Sequence, residues 1–265
     1  MKKILIVFAL LTILITAFAH ECILIAYKWR VNKGDTLEMH LFIADGMNIQ
    51  LERPMEKDKI KKFEIINENG QSDLLANTVE GTLPIINSKV DFEGLGLIFM
   101  ERDYAKISLP TDKFLEYLKE DHIENIIVSK EQGKKMQRER YSRFIKALVQ
   151  SGKIKNDTLY KTVTGENFEI ILLENPYKLH KGATLSAQVF FKGKPLAGKI
   201  ITARNRRGSE PSITLISRTN TNGICSFKLQ RPGDWMLHAT HMVECQEKEE
   251  ADWESFWTTF SFGIN

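Results

Sequence analysis

Leu37-Glu38-Met39-His40-Leu41-Phe42-Ile43 alternates: every odd position is apolar, and Glu38 and His40 stand between them. Successive side chains of an extended chain point to opposite faces, so this stretch reads as a strand with one face on a core. Runs of the same kind recur outward from it, at 63–66, 94–100, 105–109, 168–173, 184–191, 199–203, 213–218, 224–229, 235–243 and 256–262. Turn-forming residues separate them, among them Lys33-Gly34-Asp35, Glu68-Asn69-Gly70, Lys192-Gly193-Lys194-Pro195, Asn222-Gly223 and Arg231-Pro232-Gly233. Many short strands at this spacing predict a mostly β protein built from β-sandwiches.

Two stretches break the alternation. After Pro110, Phe114, Leu115 and Leu118 sit at helical spacing, with Thr111 or Asp112 as candidate N-cap, which predicts a helix over 111–119. From about 130 to 150, Tyr141, Ile145 and Leu148 repeat at i, i+4, i+7 and Gly152 follows as a candidate C-cap, which predicts a second helix. In that helix Glu139, Arg143 and Lys146 form a salt-bridge stripe. A single core seldom grows much beyond ~250 residues, so 265 residues divide naturally in two. The expected domains are 20–155, a β domain carrying both helices, and 160–265, a second sandwich, with the polar stretch 151–164 between them. Within the second, GKPLAGKIITARN and TNTNGICSFKLQRPGDW resemble the immunoglobulin-like or transthyretin-like modules of bacterial secreted proteins. The expected fold is therefore two immunoglobulin-like β-sandwich domains with a short helical segment between them.

With 43% hydrophobic and 27% charged residues, the composition excludes disorder, collagen and a multi-span membrane protein. A formal charge of +3 leaves no electrostatic footprint for nucleic acid. The start reads as a targeting segment: Lys2 and Lys3, an apolar run from Ile4, and an Ala17-Phe18-Ala19 cleavage signature, so residues 1–19 are an expected signal peptide. The run is too short for a membrane anchor, and Ala19-His20-Glu21 ahead of Cys22 makes no lipobox. The expected location is the periplasm or the extracellular space. Cleavage also makes His20 the mature N-terminal residue, with a free α-amine beside its imidazole.

Three cysteines, Cys22, Cys225 and Cys245, leave at least one thiol unpaired. Cys225 and Cys245 lie on neighbouring expected strands, where a disulfide and two buried thiols are both open readings. Of the six histidines, His122 and His180 stand in charged turns and His40 shares a strand face with Glu38 and Phe42. His238 and His241, three apart on one strand, point to opposite faces and cannot chelate one ion together. Met236 and Met242 share the His238 face, whereas His241 shares an apolar face with Trp235, Leu237 and Ala239. The α-amine and imidazole of His20 can close a small chelate ring on a divalent ion, and nickel, cobalt or copper suit such nitrogen donors. No GxSxG, HExxH, P-loop or dinucleotide fingerprint is present, so no enzyme is expected. The acidic tract 244–254, with Trp253 and Trp257 around its end, reads as a solvated loop.

The mature start AHEC, the segments YKWRVNKGDTLEMHLFIADGMN, RERYSRFIKALV and ENPYKLHKGATLSAQVFFKGKPLAG, and the ending GDWMLHATHMVEC…DWESFWTTFSFG together resemble a secreted bacterial family of largely unknown function, grouped with periplasmic nickel-uptake components. That resemblance implies a metal-binding accessory role beside a membrane metal transporter. It matches His20 to the family's mature N-terminal histidine and His241 to its closing strand; Cys22 and Ile23 replace the family's usual aromatic pair. The expected metal residues are therefore His20, His241, His238 and Cys22, with nickel or cobalt as the ion. The expected function is a non-enzymatic periplasmic accessory protein for uptake of a divalent transition metal. An envelope binding module for a protein or glycan partner is the alternative, and a copper enzyme built on an N-terminal histidine brace has no motif behind it.

Overall fold

The computed structural model describes residues 20–128 and 135–265. The expected signal peptide 1–19 and the first residues of the expected second helix lie outside them. Among the described residues the strands are β1 Glu21–Ala26, β2 Arg30–Val31, β3 Thr36–Asp45, β4 Asn48–Arg53, β5 Ile60–Asn67, β6 Gly70–Asp73, β7 Ile86–Lys89, β8 Gly94–Pro110, β9 Met136–Ser151, β10 Phe168–Leu172, β11 Thr184–Phe191, β12 Lys194–Pro195, β13 Ile200–Arg206, β14 Ile213–Arg218, β15 Ile224–Lys228, β16 Gly233–Glu244 and β17 Trp253–Ile264. One α-helix, α1, spans Thr111–Glu120.

The chain is mostly β, and its strands form a nine-stranded sheet between two smaller ones. The large sheet runs β14-β13-β16-β17-β9-β8-β5-β6, with β2 beside β9. One small sheet is β1-β3-β4 with β7 on β3; the other is β10-β11-β12 with β15 on β11. Residue parity in β17 shows where each packs. Thr259 and Ser261 share one face, and their hydroxyls donate to the carbonyls of Cys22 and Leu24, so the β1 sheet lies there. Phe256 projects from the opposite face and meets Phe191 of β11 edge-on, with ring centroids 5.1 Å apart. The two small sheets therefore cover opposite faces of the large one, and a single apolar cluster runs from Ile23 through Phe63, Leu148 and Phe168 to Phe262. Sheet-on-sheet packing of this kind is the β-sandwich arrangement.

The alternation of β3 is kept, with Leu37, Met39 and Leu41 buried between more exposed neighbours. The expected boundary at 155–160 is crossed by the large sheet: β9 and β17 pair in parallel from Glu139 opposite Trp253 to Ala147 opposite Ser261. Trp29 strengthens the crossing. Its ring lies where a Cβ on Gly263 would stand, and its Nε1 donates to Asp234 Oδ1 at 2.8 Å. Only glycine permits that approach.

The helix expected over 130–150 is corrected, because residues 136–151 form the central strand β9. Both faces of its second half are covered, and Phe144 to Ser151 are buried without interruption. A strand covered on both sides loses its period of two, and the apolar residues left at helical spacing were a coincidence of that run. The salt-bridge stripe falls with it: Glu139 and Arg143 face the β1 side of the sheet, while Lys146 faces the other and pairs with Glu169 of β10. The disulfide reading of Cys225 and Cys245 also falls, since all three cysteines are free and buried.

Candidate functional site

The β1 sheet leaves part of its face of the large sheet uncovered, over β16, β17 and β9, and α1 fills the gap. Phe114, Tyr117 and Leu118 are the buried residues of the helix. This i, i+3, i+4 stripe packs on Trp253, Trp257 and Met242. Tyr117 stacks on Trp257 with centroids 5.9 Å apart and planes 7° from parallel. No side chain caps the helix; Pro110 holds the N-cap position where Thr111 or Asp112 was expected.

A polar group is sealed beneath this cover. The Tyr117 hydroxyl donates to Glu139 Oε1 at 3.0 Å, the Ser255 hydroxyl donates to the same oxygen, and Trp257 Nε1 donates to Ser255 Oγ at 3.0 Å. Burial pushes the Glu139 carboxyl up to about 7, against the pull of its hydrogen bonds and of Arg143. Asp121, just past the helix, receives the Thr240 hydroxyl at 3.4 Å, and burial with the nearby Glu139 pushes it up to about 8. The Lys199 amine donates to the carbonyl of His122 at 3.1 Å and is pushed down to about 8 by burial. His238 is fully enclosed and held neutral by burial, with Arg204 and Lys199 adding to the effect. Its Nδ1 has no hydrogen-bond partner.

At the rim of this group opens a cavity of about 300 Å³. One wall is the turn after α1, with His122, Glu124 and Asn125; a second is the Leu196–Ile200 turn into β13, with Lys199; a third is His241 at the end of β16. The walls are tied in place: Asn125 Nδ2 donates to the Met242 carbonyl at 2.7 Å, and Arg218 grips Glu124 with bonds of 2.6 and 3.0 Å. His122 closes the helix in the left-handed conformation, φ 52°, a position that glycine usually takes. His241 is wedged against Phe191, centroids 4.4 Å apart. Burial, with Lys199 and Lys192 nearby, brings it down to about 4, so it is neutral at pH 7.

The four expected metal residues do not converge. His238 lies beneath α1 and His241 on the opposite face of β16, as strand parity requires. Cys22 is buried in β1 with Arg143, Arg102 and Arg53 among its charged neighbours. His20 is half-buried just ahead of β1. Among the described residues no three of His, Cys, Asp or Glu are grouped to hold a metal ion. Arg204 and Lys199 stand near His238, Lys199 and Lys192 near His241, and Arg143, Arg102, Arg53 and Glu56 near Cys22. Tyr117, Asp121, Glu139, Lys199 and Arg204 belong to the site and sequence reasoning missed them. For Glu139 the signal was hidden by reading β9 as a helix; for Asp121 and His122, a charged turn gave no sign that a strand lay beneath it.

No helix among the described residues is long and apolar enough to cross a membrane. None of the curated proteins matches this chain. Among solved structures, the chain is similar to the tetra-tandem repeat in the extending region of a large adhesion protein, at 7% identity and a TM-score of 0.24, over 92% of this chain and 50% of that one. The chain thus spans half the length of that structure. A second similarity is to the D0-D1 domain of intimin, at 11% identity and a TM-score of 0.22, over 91% of this chain and 97% of that one. Residues 17–243 match the model of a domain of unknown function, DUF4198, and the chain belongs to that family.

Proposed function

We propose that the protein is a non-enzymatic binding module of the cell envelope, exported by its N-terminal segment, whose site for a glycan is the cavity between the 122–125 turn, the 196–200 turn and His241. The observation that carries this reading is the convergence, in one cavity, of neutral and charged hydrogen-bonding groups with apolar Leu196 and Ile200. Small-ligand sites combine a largely apolar wall with a few placed polar groups in this way. Neutral imidazole and amide groups both donate and accept, which suits sugar hydroxyls.

The test is a glycan array probed with the mature protein and with Ala197→Trp, which puts a bulky ring at an exposed position lining the cavity. Retention of a glycan by the wild type, lost in the filled variant with an unchanged circular dichroism spectrum, supports the reading. No retention, or retention that ignores the filled cavity, overturns it. The transition-metal accessory role rests on the mature α-amine and ring of His20 alone, and a separate titration given below addresses it.

A further inference from the structure

We infer that the ligand of this cavity is an acidic saccharide, with its carboxylate seated on the Lys199 ammonium. The inference rests on the reading of the cavity as a glycan site and names the chemistry it selects.

Lys199 is buried, with 6% of its surface exposed, and the hydrogen bond recorded for its amine goes to a neutral carbonyl, that of His122. Among the described residues no carboxylate lies within ion-pair distance of it. Glu124, the acid lining the cavity, is held by both terminal nitrogens of Arg218. Asp121, the other nearby acid, receives the Thr240 hydroxyl and makes no ion pair with the ammonium. A second cation stands behind the third wall: the Lys192 amine lies 5.4 Å from the Phe191 ring centroid and 5.8 Å from that of Phe256, beside His241. A buried ammonium with no ion-pair partner is costly, and an incoming carboxylate relieves that cost through a charge-assisted hydrogen bond in a low-dielectric wall. One ammonium at the contact balances one negative charge. A monocarboxylate is therefore the expected anion.

Calorimetric titration of the mature protein at pH 7 with D-galacturonate, D-glucuronate, N-acetylneuraminate, a galacturonan oligomer, D-galactose and inorganic phosphate tests the inference. Binding of at least one acidic sugar, with D-galactose about tenfold or more weaker, is the expected result. Lys199→Met is expected to lose about tenfold of that affinity and Lys199→Arg to retain most of it. Affinity for the acid should fall with added salt in the wild type itself, a readout that needs no variant. Equal binding of monomer and oligomer points to a free sugar acid, and preference for the oligomer points to a polymeric glycan; both support the carboxylate. Binding of D-galactose equal to that of the acids and insensitive to Lys199→Met overturns the acidic ligand while leaving the glycan site standing. Phosphate in place of the sugars overturns the carboxylate, and no binding of any saccharide overturns this inference together with the glycan reading.

Discussion

Tyr117 and Glu139, 22 residues apart, meet through a 3.0 Å hydrogen bond that ties the only α-helix among the described residues to the middle of the large sheet. Around that bond the helix presses an aromatic stripe onto Trp253 and Trp257 and closes over ionisable groups that water would otherwise reach. The helix is the roof of the polar group, and the turn that follows it forms one wall of the cavity.

Phe114→Ala is expected to loosen this roof without unfolding the sheets. Phe114 is fully buried and stacks on Trp253 at 5.9 Å, and truncating a buried Phe costs about 3–5 kcal/mol. Amide exchange over 111–123 should accelerate while β9, β16 and β17 stay protected, and tryptophan emission should shift to the red. Uniform acceleration along the chain would show that helix and sheet are one cooperative unit.

Asp121 gives stability a specific pH slope. The folded chain holds its proton up to about 8, whereas an unfolded carboxyl releases it near 3.8. Between those limits the folded state binds more protons, so stability falls as pH rises. His238, held well below 6.5, acts in the opposite sense and costs stability as pH falls through 6.5. Asp121→Asn should make the decline between about 4 and 8 shallower, leaving the part that Glu139 contributes, and exceed the wild type by more than about 1 kcal/mol at pH 8.5. Urea denaturation at pH 5.5, 7 and 8.5 checks this; parallel slopes in the two proteins would refute it.

On the opposite face of the large sheet, Lys146 and Glu169 form an ion pair with side chains 1% and 0% exposed. Glu169 also receives the amides of Thr164 and Gly165 and the Thr164 hydroxyl. Lys146→Met strands the carboxylate and is expected to cost about 3–5 kcal/mol, and Lys146→Met with Glu169→Leu should recover part of that loss. The comparison is made by thermal denaturation. A double variant no more stable than the single one would mean that the amides, rather than the pair, set the cost.

Metal binding has a sharp dissection. In a chain beginning at His20, the variants His238→Ala, His241→Ala and Cys22→Ala are expected to leave nickel and cobalt affinity unchanged, because largely cationic groups surround those three positions. One extra residue ahead of His20 should abolish any affinity the α-amine provides. Calorimetry of the four forms decides the matter, and a loss in any one of the three side-chain variants would return that residue to the ligand set.

Residues 37–43 declare a half-buried strand, and the turn residues around Gly34 and Gly223 mark where strands end, because these patterns depend only on local geometry. Phe114, Leu115 and Leu118 likewise announce α1. The parity of β16 places His238 and His241 on opposite faces with no knowledge of what covers either. What covers them was decided only by tertiary structure. β9 carries no legible alternation because partners bury both its faces, and those partners come from other segments of the chain, Glu169 of β10 23 residues on and β17 more than a hundred. The site depends on the same long-range pairing. Glu139, Asp121 and Lys199 read as ordinary charged residues in sequence. They become a buried, pKa-shifted group only when α1, β9, β13, β16 and β17 meet, since desolvation is a property of the assembled fold and not of any one segment.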